Sequence, residues 1–513
     1  MEIIDNRGLL LRVQHPEKIT AAIPHSHYLG NNQVLVKWGI DEARVLKNLD
    51  IQNVPSPILG RYRWTGKYAP MDHQRTTSSF LTMHRRAFCF NEQGTGKTAS
   101  AIWAADYLMK VGIVKRVLVV CPLSIMDSAW RADLFTFAMH RKVDIAYGEA
   151  TKRKKIIASD AEFIIINYDG VAVVRAEIAS GGFDLIIIDE ATHYKNTSTD
   201  RWKTMNKLIT PNMWLWLMTG TPAAQSPIDA YGLAKLVNPK SVPRTKGSFQ
   251  DQVMFRVTQF KWVPKATANT TVFNALQPAI RFTKKECLDL PEMTYVKRKV
   301  ELTKQQKKYY DLVKQKMRAI ADDGESITAA NAAINMNKLL QISCGAVYSD
   351  SGETLEMDIR NRYAVLQEVI DESSQKVLVF APFKHIIAYL VESLTRDGVA
   401  TAAITGEVPA NQRTRIFEQF QKEENPRVLV IQPQAAAHGV TLTAANTVIW
   451  WGPTPSVEIY TQANARVHRQ GQRHPCTVVG LQGSPVEEYV YAMLDGKLSL
   501  HTTLIDLYKQ ILE

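Results

Sequence analysis

Apolar residues fall along this chain in short unbroken runs, separated by stretches with helical spacing. Ala87–Phe90, Val117–Cys121, Phe163–Ile166, Leu185–Ile188 and Trp214–Met218 form one group of such runs. Val377–Phe380, Thr401–Ile404, Val428–Ile431, Thr447–Trp450 and Thr477–Leu481 form a second. Continuous runs rich in Val, Ile and Leu are what a strand needs when both faces of its sheet are covered. Alternation with helices predicts two α/β lobes, each a doubly wound parallel sheet, with ligands at the carboxyl ends of the strands.

The remaining segments break this rhythm. Residues 1–65 carry a strand-like Val34–Trp38, a short helix that Asp41 would cap, and a Pro-containing exit at Val54–Ile58, which predicts a small accessory domain. A first lobe is expected over 66–290, a helical connector over 291–360, and a second lobe with C-terminal brace helices over 361–513. The connector includes a basic helix near Thr303–Ala321, and the chain from Ser484 onward has a helical pattern.

Composition narrows the class. Of the 513 residues 45% are hydrophobic and 22% charged, which excludes a disordered chain. A net charge of +12 suits a polyanionic partner. Cys89, Cys121, Cys287, Cys344 and Cys476 are scattered with no CxxC pair, which points away from disulfides and zinc and toward a reducing compartment. The opening Met-Glu-Ile-Ile-Asp is unlike a signal peptide, and no apolar run approaches the roughly 20 residues of a membrane span, so no membrane role is expected.

Three elements carry chemistry. Asn91-Glu92-Gln93-Gly94-Thr95-Gly96-Lys97-Thr98 follows a strand and opens a helix whose apolar face is Ile102, Ala105 and Met109. Gly94, Thr95 and Gly96 would let backbone N–H groups wrap a phosphate, Lys97 would reach the β- and γ-phosphates of ATP, and Thr98 would ligate Mg²⁺. The first position of the usual GxxxxGK[ST] pattern is Asn91, not glycine. About ninety residues later, Asp189 and Glu190 sit at the tip of a strand, where Asp189 can hold the metal and Glu190 can orient or deprotonate a water. The third element, Gln462–Arg469, brings Arg466 and Arg469 at i, i+3, on one face if the segment is helical, as candidate arginine fingers from the second lobe.

With these residues the chain resembles a Snf2-type superfamily 2 helicase over roughly residues 65–500. Tyr68–Gln74 resembles the Q-motif, and Val117–Trp130 and Ile165–Asp169 resemble the motifs after it. Asp189–Asn196 (DEATHYKN) is similar to the DEAH-box, and Thr219–Pro222 to the TGTP segment. Gly439–Asn446 and Gln462–Gln472 resemble motifs V and VI, and Val486–Glu488 the segment that braces the second lobe. Arg281–Lys285 and Leu290–Pro291 resemble the inter-lobe connector, with Phe282 where the family carries a second arginine. Gln432–Ala437 replaces the Ser-Thr-Lys-Ala-Gly-Gly stretch, and Pro455–Val457 the Trp-Asn-Pro. The short chain and Ala-rich motif V are most similar to annealing-helicase and compact phage or prophage members.

The resemblance implies an ATPase that uses Mg²⁺ and moves along DNA, double-stranded or branched, as a cytoplasmic monomer in a bacterium or phage-infected host. It implies that Gln74 reads adenine and that Gly439 and Gln462 join the nucleotide-binding residues. Three functions stay open at this level: a double-stranded DNA translocase, a strand-separating helicase on DNA or RNA, and a nucleotide-switched binding module. The Lys152–Lys155 tract and the helix with Lys304, Lys307, Lys308, Lys314, Lys316 and Arg318 are either backbone grips or solvated faces. Leu312, Val313, Met317 and Ile320 have spacings that suit packing of that helix. His193 and His468 are expected to couple the motifs they sit in, and His84 and His385 to be structural.

Overall fold

Leu185–Asp189, Val117–Cys121 and Trp214–Met218 are buried at every position, so each must lie inside a sheet covered on both sides. The computed structural model describes residues 1–223, 226–257, 262–322, 329–348, 354–436 and 440–496. Its chain divides into two units, one built mainly from residues 1–253 and 267–287, the other mainly from 288 onward with 254–266.

The first unit holds a seven-stranded, wholly parallel sheet. Its order is Ala279–Ile280, Arg86–Cys89, Trp214–Met218, Leu185–Asp189, Val117–Cys121, Phe163–Asn167 and Val143–Ala146. Five of these were legible as apolar runs. The two edge strands were not, because Val143–Ala146 buries only Ala146 fully and Ala279–Ile280 is two residues long. Lys97–Lys110 is the helix after the first interior strand, and the Ile102, Ala105 and Met109 face is buried in the core beneath the sheet.

Within residues 1–65, strands between Glu2 and Lys37 form an antiparallel sheet in the order Glu2–Ile4, Gly8–Arg12, Gln33–Lys37, His27–Gly30, while Ile40, Ala43, Ile58 and Tyr62 join the core of the large sheet. The antiparallel sheet's own core is Leu9, Leu11, Val34, Val36 and Trp38. Helices Pro16–Ala22 and Ile58–Arg61 accompany the one expected at Asp41, which is Ile40–Asn48 with Gly39 as its N-cap. Asp41 is therefore inside the first turn, where its charge favours the helix dipole, and does not cap it.

The second unit has a six-stranded parallel sheet: Met293–Lys299, Cys476–Gln482, Ala445–Trp450, Lys376–Phe380, Val428–Ile431, Thr401–Ile404. Met293–Lys299, within the stretch expected as connector, is thus an edge strand. Its sequence ends in three consecutive basic residues, Lys297–Lys299, and no position is fully buried, as an edge strand allows. The basic helix is Lys304–Asp322, with Met317 buried and Val313 packed against the core. Leu312, expected to pack, is 50% exposed, because it falls on the Lys308–Asp311 face. The Ile320 and Arg318 side chains lie outside the described residues, as does the chain after Gly496; before it, Pro485–Leu494 is helical as expected.

Candidate nucleotide site

The phosphate loop leaves the Arg86–Cys89 strand and enters the Lys97–Lys110 helix through Gly96, the N-cap, at φ +78°. Gly94 has φ +86°, so both glycines sit where a side chain would be strained. A Cβ on Gly96 would also run into the Gln74 amide. The helix N-terminus therefore faces the loop with its first N–H groups unspent by the helix.

Asn91 replaces the pattern's glycine for a structural reason. Fully buried, it donates from Nδ2 to Thr77 Oγ1 (2.8 Å) and accepts the Phe282 N–H on Oδ1 (3.0 Å). Its main-chain carbonyl accepts from Lys97 Nζ at 2.8 Å. Gln74 and His73 both donate to the Thr95 carbonyl, at 3.3 and 2.8 Å, while Gln74 Oε1 accepts the Met71 N–H. Gln74 is 7% exposed, so here it supports the loop and the start of its own helix.

Two strands over, Asp189 ends the Leu185–Asp189 strand with its carboxylate buried. Trp130 Nε1 donates to Oδ2 at 2.9 Å and the Glu190 N–H to Oδ1 at 3.0 Å. Burial raises the Asp189 pKa, against the Lys97 charge and these two donors. Glu190 adopts φ +47°, uncommon for a residue with a side chain, and is held there by Tyr168, whose hydroxyl donates to the Asp189 carbonyl (2.6 Å) and the Glu190 carbonyl (3.3 Å). Gln93 Nε2 donates to Glu190 Oε1 at 3.4 Å, joining the phosphate loop to the acidic pair. Trp130 and Tyr168 lie in quoted motifs, yet their roles were missed. The available signal was that buried indole and phenol groups need acceptors.

These donors fit a magnesium ion. One carboxylate and the Thr98 hydroxyl at the helix start leave most positions to water and phosphate oxygens, as that ion prefers. Among the described residues no group of three His, Cys, Asp or Glu forms a self-sufficient metal cage.

The second-unit residues sit on a different local structure from that expected. The helix Val457–Asn464 ends before Arg466, so Arg466 and Arg469 occupy a turn, and the shared helical face does not exist. Beyond the helix, side chains of Asn464 and Gln472 hold the turn in place. Asn464 Oδ1 accepts from Trp450 Nε1 at 3.0 Å. Gln472 Nε2 lies 2.8–3.3 Å from the carbonyls of Ala445, Val467 and Thr443, and its Oε1 accepts the Arg473 and His474 N–H groups, both at 2.9 Å. Arg466 is 7% exposed, and Arg469 Nη1 donates to the Val440 carbonyl at 3.1 Å. Gln462 is buried and donates to Glu458 at 3.2 Å. Gly439 lies outside the described residues. His468 Nε2 bonds the Pro291 carbonyl at 2.8 Å, and the His193 ring packs on Tyr168 at 4.7 Å.

Of the basic tracts, Lys304, Lys307 and Lys308 are exposed. Arg153, in the Lys152–Lys155 tract, is instead buried, donating to the Gly148 and Ala146 carbonyls and to Asn167 Oδ1. It is unavailable as a grip because it closes the Gly148 turn. All five cysteines are free, and no described helix is long and apolar enough to cross a membrane.

The sequence is similar to those of known helicase-like proteins. Residues 361–471 match the helicase conserved C-terminal domain. An uncharacterized ATP-dependent helicase of Mycoplasma genitalium is 27% identical over 425 residues, 80% of this chain and 39% of that protein. The p41 protein of Acyrthosiphon pisum secondary endosymbiont phage 1 is 24% identical over 78% of this chain and 88% of its own length. The Sulfolobus solfataricus SWI2/SNF2 ATPase core in complex with dsDNA aligns at 22% identity and TM-score 0.42, over 86% of this chain and 94% of that one. The chain spans less than half the length of several curated relatives it matches. Residues 73–347, more than half of the chain, match the SNF2-related domain, and with the phosphate loop and acidic pair in place the chain belongs to the SNF2-related family of helicase-like proteins.

Proposed function

We propose that this protein is an ATP-driven translocase on double-stranded DNA, acting in the cytoplasm of a bacterium or phage-infected cell. The observation that carries this reading is the pairing of a phosphate loop and acidic strand tip in one α/β unit with an arginine-bearing turn in a second. In this reading the loop N–H groups from Gly94 to Thr98 cradle the phosphates, and Lys97 exchanges the Asn91 carbonyl for a phosphate oxygen. Thr98 and Asp189 would hold a magnesium ion, which would supply positive charge to those oxygens. Glu190, aimed by its strained backbone, orients and deprotonates the attacking water. Arg466 and Arg469 neutralise the charge that spreads over the transferred phosphoryl group.

In this reading ATP binding favours one state of the protein and hydrolysis removes that preference, which moves its phosphate-gripping residues along a backbone. Exposed Lys304, Lys307 and Lys308 suit backbone phosphates, so movement is indifferent to sequence and weakened by salt. Remodelling of forks or junctions, strand annealing and displacement of bound protein are all products of such movement.

The test is steady-state ATPase with double-stranded DNA, single-stranded DNA and RNA, run beside triplex displacement. We expect double-stranded DNA to stimulate most and the triplex strand to be displaced without strand separation. Stimulation by RNA alone overturns the reading, and unwinding of a forked duplex without triplex displacement favours a strand-separating helicase.

A further inference from the structure

Asn91, which departs from the general phosphate-loop pattern, and Phe282, which departs from the connector the family carries, meet in the fold. The strand leading into the phosphate loop is bonded residue by residue to the segment that leads out of the first unit. Phe88 N–H donates to the Pro278 carbonyl (3.0 Å), Phe90 N–H to Ile280 (2.8 Å) and Glu92 N–H to Phe282 (2.9 Å). Beyond the strand pair of Ala279–Ile280 with Phe88–Cys89, the return bonds come from side chains: Asn91 Oδ1 accepts the Phe282 N–H, and Glu92 Oε2 the Lys284 N–H, each at 3.0 Å. The Phe282 ring packs edge-on to His73 at 6.0 Å, and His73 holds the Thr95 carbonyl of the loop. From Cys287 the chain passes directly into the second unit.

Asn91 thus has two ends. Its main chain holds the Lys97 ammonium, and its side chain holds Phe282. A buried side chain with all its polar atoms bonded has little freedom to shift one end without the other. We propose that Asn91 is a positioning residue that reports phosphate occupancy to residues 282–284: when a phosphate takes the Lys97 ammonium, the Asn91 carbonyl loses its charged donor and the clip on Phe282 and Lys284 loosens. The proposal rests on the loop being an ATP site. It adds that the first consequence of occupancy is local release of the connector at its root.

The experiment is amide hydrogen exchange of the peptide covering 280–285 in the full chain, with and without a non-hydrolysable ATP analogue. Occupancy is confirmed separately with a fluorescent form of that analogue. We expect saturating analogue to speed exchange at 282–284 by at least about threefold in the wild-type chain. Asn91→Asp, which keeps an acceptor for the Phe282 N–H, retains the response, and Asn91→Ala loses it while still binding the analogue. Thr77→Val removes the other side-chain partner of Asn91 and keeps the response, which separates signalling from simple support of the loop. Unchanged exchange in a wild-type chain that binds the analogue overturns the proposal, whether or not Asn91→Ala folds. So does a full response in Asn91→Ala. A wild-type chain that binds no analogue overturns the ATP-site reading itself.

Discussion

Lys97 rests on a carbonyl of its own loop, at 2.8 Å, so a nucleotide phosphate competes with a neutral acceptor and not with a carboxylate. The exchange gains a charge-assisted contact at the loss of a weaker one. We expect Lys97→Ala to lose binding of a fluorescent ATP analogue. Glu190→Gln keeps the shape and the φ +47° backbone but cannot take a proton. It should bind the analogue normally and trap ATP, with turnover at least about 100-fold slower, and normal turnover would remove Glu190 from the role assigned to it. His84 offers a different reading. Burial holds its ring neutral, with a pKa of about 4, beside Lys47 and the Phe80 carbonyl. The unfolded chain takes up a proton near the usual 6.5, which the folded chain refuses until about pH 4. Stability from this site is therefore full above pH 6.5 and is lost as pH falls toward 4. Urea midpoints at pH 7 and pH 5 should fall less for His84→Phe than for the wild-type chain.

The helix Pro485–Leu494 shows what an element needs to brace a lobe. Its first turn carries Glu487, fully buried, which accepts from Arg362 Nη2 at 2.8 Å, the Gly483 N–H at 2.7 Å and Ser484 Oγ at 3.1 Å. Arg362 also donates to the Trp451 carbonyl, so one ion pair ties the helix Arg360–Glu372 to the brace and to a strand end. Removing one partner leaves a buried charge uncompensated. We expect Glu487→Ala to destabilise the protein by about 3–5 kcal/mol in chemical denaturation. Arg362→Met combined with Glu487→Leu, of similar volume, should lose much less. An equal loss in both would show that packing, and not the charge, is what the pair supplies. The Gln462–Gln472 element teaches the complementary lesson. Its arginines are displayed by a turn that Gln472 holds through three carbonyls around Nε2 and two N–H groups on Oε1, not by a helix.

At the scale of the whole molecule the question is whether two units complete one reaction. Each has its own parallel sheet and its own core, and the proposed function assigns residues of both to the chemistry. If the second supplies the finger, Arg469→Ala should bind ATP yet turn over at least about 100-fold more slowly. Analogue binding and single-turnover hydrolysis measured on the same preparation check this. Wild-type turnover in that variant would show that the first unit hydrolyses ATP without it.

The interior strands and the motif order could be read from sequence because both are local. A strand covered on both faces must be apolar at every position, and a phosphate loop must place glycines and Lys97 within a few residues. Edge strands such as Val143–Ala146 and Met293–Lys299 escaped, since a one-sided strand need not be continuously apolar. Individual roles also escaped wherever the partner is distant in sequence: Trp130 on Asp189, Tyr168 on Glu190, Gln472 on three carbonyls, Asn91 on Phe282. The chain alone determined that there are two α/β units and which one holds the phosphate loop. Only the tertiary structure decided how each reactive side chain is held, because a buried polar atom must find a partner wherever the fold brings one within about 3 Å.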